Sequence, residues 1–161
     1  MTALRLTHLI SVTSLVGLMA CGGGDKAAAP PAASAPAAGS DLTPWQLTNG
    51  IGPVTAPLTL GPIDAHEAAE GKKVFEAKCS ACHKLGERYV GPPLGGITQK
   101  VTPEFAMNMM LNPVEMYTRH PVMKKLLAEF LTQMPNQGLT QEEARAVLEY
   151  LRTTTAPPAT P

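Results

Sequence analysis

From His66 onward, small and apolar positions recur at intervals of three and four, beginning with Ala68, Gly71, Val74 and Phe75, the spacing of one helix face. Thr102-Pro103-Glu104 predicts another helix start: a capping hydroxyl, a proline at the first helical position and an acid in the first turn. That helix must end near Asn112-Pro113, because a proline ring cannot continue it. Proline-led starts recur at Pro113 and Pro121, the second opening the run from Val122 to Leu131. A capping box at Thr140-Gln141-Glu142-Glu143 predicts the last helix, with Ala144, Val147, Leu148 and Leu151 on its apolar face. No stretch alternates as a strand would, so the fold class expected is all-α, without an internal repeat.

The first third of the chain lacks this period. In residues 41–65, Trp45, Leu47, Ile51, Val54, Leu58, Leu60 and Ile63 are interrupted by Gly or Pro at 50, 52, 53, 57, 61 and 62. The apolar content, with the chain's sole Trp, predicts an irregular arm packed on the folded domain. Residues 22–40 hold only Gly, Ala, Pro, Ser and one Asp-Lys pair; with almost nothing to bury, they predict a disordered tether. A matching disordered tail is expected at 153–161. Residues 1–20 read as an export signal: Arg5, then an apolar run too short to span a bilayer comfortably, ending in a small residue. The run closes on Leu18-Met19-Ala20-Cys21, which resembles the lipobox of bacterial lipoproteins, an ordinary secretion signal being the plainer alternative. Acylation of Cys21 would supply the two chains that stable anchoring needs. The expected location is the periplasmic side of a bacterial membrane.

Charge and length narrow the field. The 161 residues suffice for one ordinary domain, and a formal net charge of +0 gives no reason to expect nucleic acid as a partner. Around residues 72–88, however, Lys72, Lys73, Lys78, Lys84 and Arg88 face only Glu76 and Glu87, which predicts a local basic rim and salt-sensitive docking.

Cys79-Ser80-Ala81-Cys82-His83 carries the chemistry. Two thiols three positions apart at a helix end can each add to a vinyl group of one haem, and the next residue then offers an imidazole to the iron. Structural zinc would need a second ligand pair, and a thioredoxin-type thiol pair belongs in a βαβ unit. A plain disulfide leaves the adjacent His unexplained. Covalently bound haem c is therefore the expected cofactor.

Eight residues beyond His83 stands Gly91-Pro92-Pro93-Leu94. Here the chain resembles the class I c-type cytochromes over about residues 66–152. The resemblance implies a bundle of short helices wrapped around one haem. It implies Pro92 as the carbonyl that accepts from the imidazole of His83. It selects Met134, in a loop before the last helix, as second axial ligand, with Met109, Met110 and His120 as rivals. It also implies a crossing of first and last helices at Gly71 and Phe75 against Val147, Tyr150 and Leu151. No Trp is present in the domain body to hydrogen-bond a haem propionate, which leaves Arg88, Tyr89, Lys100 and Tyr117 as candidates. More narrowly, Asn49 to Val54 and Met107 to Pro113 resemble small cytochromes found with nitrous-oxide reductase systems. The function implied is single-electron transfer to or from periplasmic or membrane redox proteins, by a monomer and not an enzyme. The alternatives are an open-site haem protein that binds a small ligand, acting as sensor or enzyme, and a fixed subunit of a larger complex.

Overall fold

The computed structural model describes residues 41–154. Among them there are six α-helices, one 3-10 turn at Ile97–Gln99 and no strand. The expected export signal, Cys21, the expected tether and residues 155–161 lie outside the described residues.

Local start and stop chemistry explains most of the elements. In α1, Pro44–Asn49, the Thr43 hydroxyl accepts from Gln46 N–H at 3.2 Å, and the Gln46 side chain accepts from Thr43 N–H at 2.9 Å. In α2, Ala65–Lys78, the Asp64 carboxylate accepts from the backbone N–H groups of His66 and Glu67 at 2.8 and 2.9 Å. Those two bonds, Glu67's first, hold the Asp64 carboxyl below its ordinary value. Thr102 caps α3, Pro103–Leu111, and the prolines at 113 and 121 open α4, Pro113–Arg119, and α5, Pro121–Phe130. Both halves of the expected capping box are present in α6, Gln141–Arg152.

Helices α2 and α6 cross where Gly71 meets Ala146. A Cβ on Gly71 would lie 1.8 Å from the Ala146 carbonyl oxygen, so only glycine permits this approach. One turn along, the rings of Phe75 and Tyr150 pack with centroids 5.4 Å apart. Phe75, Val147, Leu148 and Leu151 join Met107 and Met110 of α3 in one core cluster, while Phe105, Met116, Tyr117 and Met123 form a second under α3, α4 and α5.

Two expectations need correction. Residues 41–65 are not wholly irregular, since they open with α1: a local capping box nucleates one turn before the Gly-Pro run ends it. At the other end, Thr153 and Thr154 are ordered. Their hydroxyls donate to the carbonyls of Tyr150 and Leu151 at 2.6 and 2.7 Å, and the Thr154 oxygen accepts from Gly96 N–H at 3.3 Å.

Buried polar groups of the helices hold residues 49–64 in place. Asn108 of α3 is fully buried, accepts from Val54 N–H and donates to the carbonyls of Asn49 and Val54, all at 2.9 Å. Glu104 accepts from Leu58 N–H at 2.7 Å. Glu149 of α6, also fully buried, accepts from Asp64 N–H at 2.8 Å and pairs with Arg152, which in turn donates to the Gly61 carbonyl at 2.7 Å. A buried carboxylate is tolerable only with such partners.

His120, 1% exposed, caps the gap between α4 and α5. Its Nε2 donates to the Leu47 carbonyl at 3.2 Å and its ring meets Phe105 edge-on, but its Nδ1 has no partner among the described residues. Burial therefore pulls the imidazole below its ordinary value. The folded state then binds fewer protons than the unfolded chain once pH drops below about 6.5, so stability is full above that pH and declines as pH falls toward the folded-state pKa. Denaturant unfolding of the haem-loaded protein at about pH 7.5 and 5.5 should show this loss. His120→Gln, which keeps the donor to Leu47 and removes the titrating group, should flatten the difference.

Candidate functional site

The last turn of α2 delivers the motif. Cys79 is its C-cap residue, and the turn continues through Cys82 N–H and His83 N–H, which both donate to the Cys79 carbonyl at 3.0 and 2.9 Å. Gly91 N–H donates to the Cys82 carbonyl at 2.9 Å, and Leu94 N–H to Lys84 at 2.9 Å, folding the segment 84–94 back onto the motif. Pro92 thereby presents its carbonyl to His83 Nδ1 at 2.9 Å. A carbonyl only accepts, so the proton sits on Nδ1 and the Nε2 lone pair is left for a metal. Gly91 makes room for this: a Cβ there would lie 2.5 Å from the His83 ring. Its role went unread in the sequence, although the Gly91-Pro92 pair was in view.

Cys79, Cys82, His83 and Pro92 border one open, apolar cleft. Its walls come from α2, α3, α5, α6 and the loop before α6, with the cysteine pair at one side, the arrangement a flat macrocycle held by Cys79 and Cys82 requires. Phe75, Val101, Phe105, Leu126, Phe130 and Leu151 supply apolar walls. Met109, Met110, Met123 and Met134 also face the cleft. Met107 and Met116 do not. Met107 belongs to the helix core, and Met116 is fully buried with its sulfur accepting from Ile51 N–H at 3.0 Å. His120 is likewise absent from the walls, held instead against Leu47.

Of the four candidate propionate contacts, Tyr117 alone lines the cleft. Arg88 reaches Glu129 and stacks over Phe130, its guanidinium 4.0 Å from the ring centroid. Tyr89 is 56% exposed with the Lys84 ammonium over its ring, and Lys100 is exposed. The basic rim also shrinks on folding. Lys72 pairs with Glu76, Lys73 with Glu70, Lys78 with Glu143 and Arg88 with Glu129, so three acids from outside the counted segment neutralise what composition left in excess. The basis for strongly salt-sensitive docking is correspondingly reduced.

The residues fit a covalent haem and exclude the competing uses of the motif. Burial pushes the Cys79 thiol up, whereas thiol-disulfide chemistry needs it lowered. The two cysteines are not joined in a disulfide. Among the described residues no group of three or more His, Cys, Asp or Glu is placed to hold a metal ion. Paired thiols at a helix end, an imidazole fixed through its far nitrogen and an apolar cleft define a haem protein of the c type.

Comparison with known proteins agrees. The cytochrome c family model matches residues 68–155. A cytochrome c2 of Pararhodospirillum photometricum is 49% identical over 45 residues, which is 26% of this chain and 40% of that protein. The chain thus spans about two fifths of that relative's length. Among solved structures, a cytochrome c from Rhodothermus marinus superposes with a TM-score of 0.64 at 48% identity, covering 68% of this chain and 95% of that one. An engineered form of that protein, bound to a carbene intermediate, matches with a TM-score of 0.61 at 47% identity over 68% of this chain and 96% of that one. The chain belongs to the cytochrome c family. It is a c-type cytochrome of all-α fold with covalently bound haem c.

Proposed function

We propose that this cytochrome is a lipid-anchored electron carrier on the periplasmic side of a bacterial membrane, and not an enzyme. The observation that carries the reading is the cleft flanked by His83, with Nδ1 bound to Pro92, and by Met134, with Cys79 and Cys82 at its edge. Cys79 and Cys82 would hold the haem, and His83 and Met134 would supply the protein ligands to its iron. The haem supplies a one-electron iron couple. The chain's part is to exclude water with its apolar walls, to keep the Nε2 lone pair of His83 available and to offer the Met134 thioether as a second ligand. A thioether as second ligand would favour ferrous iron and suit delivery to a respiratory acceptor. Acylation of Cys21 anchors the domain. Among the described residues no helix is long and apolar enough to cross a membrane. As acceptor or donor we favour a nitrous-oxide reductase system, on the likeness of residues 49–54 and 107–113 to its small cytochromes.

Cell fractionation with intact mass measurement tests both halves. Wild-type protein should be found with membranes, heavier than the chain from Cys21 onward by one haem and a lipid, and Cys21→Ser should move haem-loaded protein to the soluble periplasm. A bare-chain mass overturns the haem reading. Soluble wild-type protein overturns the anchor alone.

A further inference from the structure

The loop that carries Met134 is barely tied to the rest of the domain. Among the described residues, the hydrogen bonds of residues 132–139 are internal, Gly138 N–H to Asn136 Oδ1 and Gln137 Nε2 to the Pro135 carbonyl. The exception is the Tyr117 hydroxyl to Gln133 Oε1 at 3.5 Å, the outer limit of such a bond. The loop also starts under strain. Leu131, the C-cap of α5, has φ 52 and ψ 24, a left-handed conformation unfavourable for a branched residue, and its side chain is 85% exposed.

What holds this start is Arg88. One end of its guanidinium donates to Glu129 Oε1 and the other to the Glu129 backbone carbonyl, each at 3.0 Å, while its flat face covers the Phe130 ring at 4.0 Å. The carbonyl is one of the acceptors that a helix leaves unpaired at its C-terminus, so Arg88 caps α5 just before the loop departs. Phe130 lines the cleft on its other side. Arg88 belongs to the segment that follows His83, and Val90 of that segment also borders the cleft. One side chain therefore bridges the imidazole flank and the methionine flank.

We propose that Arg88 is the latch of the methionine loop, a positioning residue that sets how readily Met134 leaves the iron. The proposal rests on the reading of Met134 as axial ligand. Without the latch, the open loop gains population, and an external ligand for the iron binds more tightly by that same factor. An exposed ion pair, a charged hydrogen bond and a cation–π contact are each modest.

The probe is imidazole added to the ferric, haem-loaded protein, read together with amide hydrogen exchange across residues 132–139. In Arg88→Ala, apparent imidazole affinity should rise about ten-fold, the methionine–iron charge-transfer band should weaken and loop exchange should quicken. Arg88→Lys, which keeps a charge for Glu129 but neither the fork nor the flat face, should restore only part of this. Asp64→Ala removes a helix cap remote in sequence from the loop; it should lower the melting temperature and leave imidazole binding alone. Arg88→Ala within about two-fold of wild type in both readouts overturns the latch, as does an equal change in Asp64→Ala. If wild-type protein lacks the band, the axial-ligand reading fails, and loop exchange then decides the latch by itself: no change in Arg88→Ala overturns it.

Discussion

Replacing Gly71 by alanine is expected to cost this protein more stability than any other single methyl group added to it. In the middle of a helix, glycine to alanine ordinarily gains up to about 1 kcal/mol from helix propensity. Here the added carbon would sit 1.8 Å from the Ala146 carbonyl oxygen, 2.3 Å from its carbon and 2.8 Å from Val147 N. All three are backbone atoms in α6, so no rotamer change relieves the clash and the two helices must part. That separation also opens the Phe75–Tyr150 contact and the cluster around Val147, Leu148 and Leu151. Overpacking of a close-packed core costs about 1–3 kcal/mol and sometimes more, and a backbone clash belongs at the upper end. A shift of roughly 2–4 °C per kcal/mol predicts a melting temperature lower by about 10 °C for the haem-loaded protein. Gly61→Ala is the control. Nothing lies within 4 Å of the carbon it adds, and it should be neutral or slightly stabilising. Near-equal melting temperatures for the two variants would refute the account of the crossing.

The chain disclosed its helices where their signals are local. Thr102-Pro103, Pro113, Pro121 and the box at Thr140 each act within four residues of themselves, and each opens a helix. Thr43-Pro44-Trp45-Gln46 carries the same signature, yet the glycines and prolines that follow it masked a six-residue helix. Long-range partners were illegible. The acid that binds Arg88 lies 41 positions away, so an inward role for that cation was a guess from composition. Asn108 reads as an ordinary polar residue within a helix, but its three bonds go to backbone groups 54 to 59 positions distant. This also gives the likeness of residues 49–54 and 107–113 to another group of cytochromes an internal cause. Gly52 leaves no room for a Cβ, which would lie 2.4 Å from Asn108 Oδ1, so the two segments act as one packing unit.

Met134→Ala is expected to produce the largest change at the site itself. Folding reduces six methionines beyond the export signal to four that border the cleft: Met109 and Met110 on α3, Met123 on α5 and Met134. The three helical ones are held by the packing of their own helices, and Met110 and Met123 are buried within the two core clusters. Met134 is half-buried at the cleft wall on a loop with few ties, between the end of α5 and the capped start of α6. Its thioether can be placed without disturbing the core. The variant should keep its haem, since Cys79, Cys82 and His83 are untouched, and should lose the charge-transfer band of methionine bound to ferric iron. Its potential should fall by roughly 0.1 V or more, within the span of about 0.8 V over which axial ligands tune haem iron. Reduced protein should then take up carbon monoxide. Met109→Ala and Met110→Ala should retain the band, with Met110→Ala losing stability because a buried core side chain is removed. A band that survives in Met134→Ala and disappears in Met109→Ala would move the ligand to α3 while leaving the carrier intact. Carbon monoxide binding by the wild-type protein without that band would instead mean an iron open to small molecules, and the carrier reading would give way to a sensor or an enzyme.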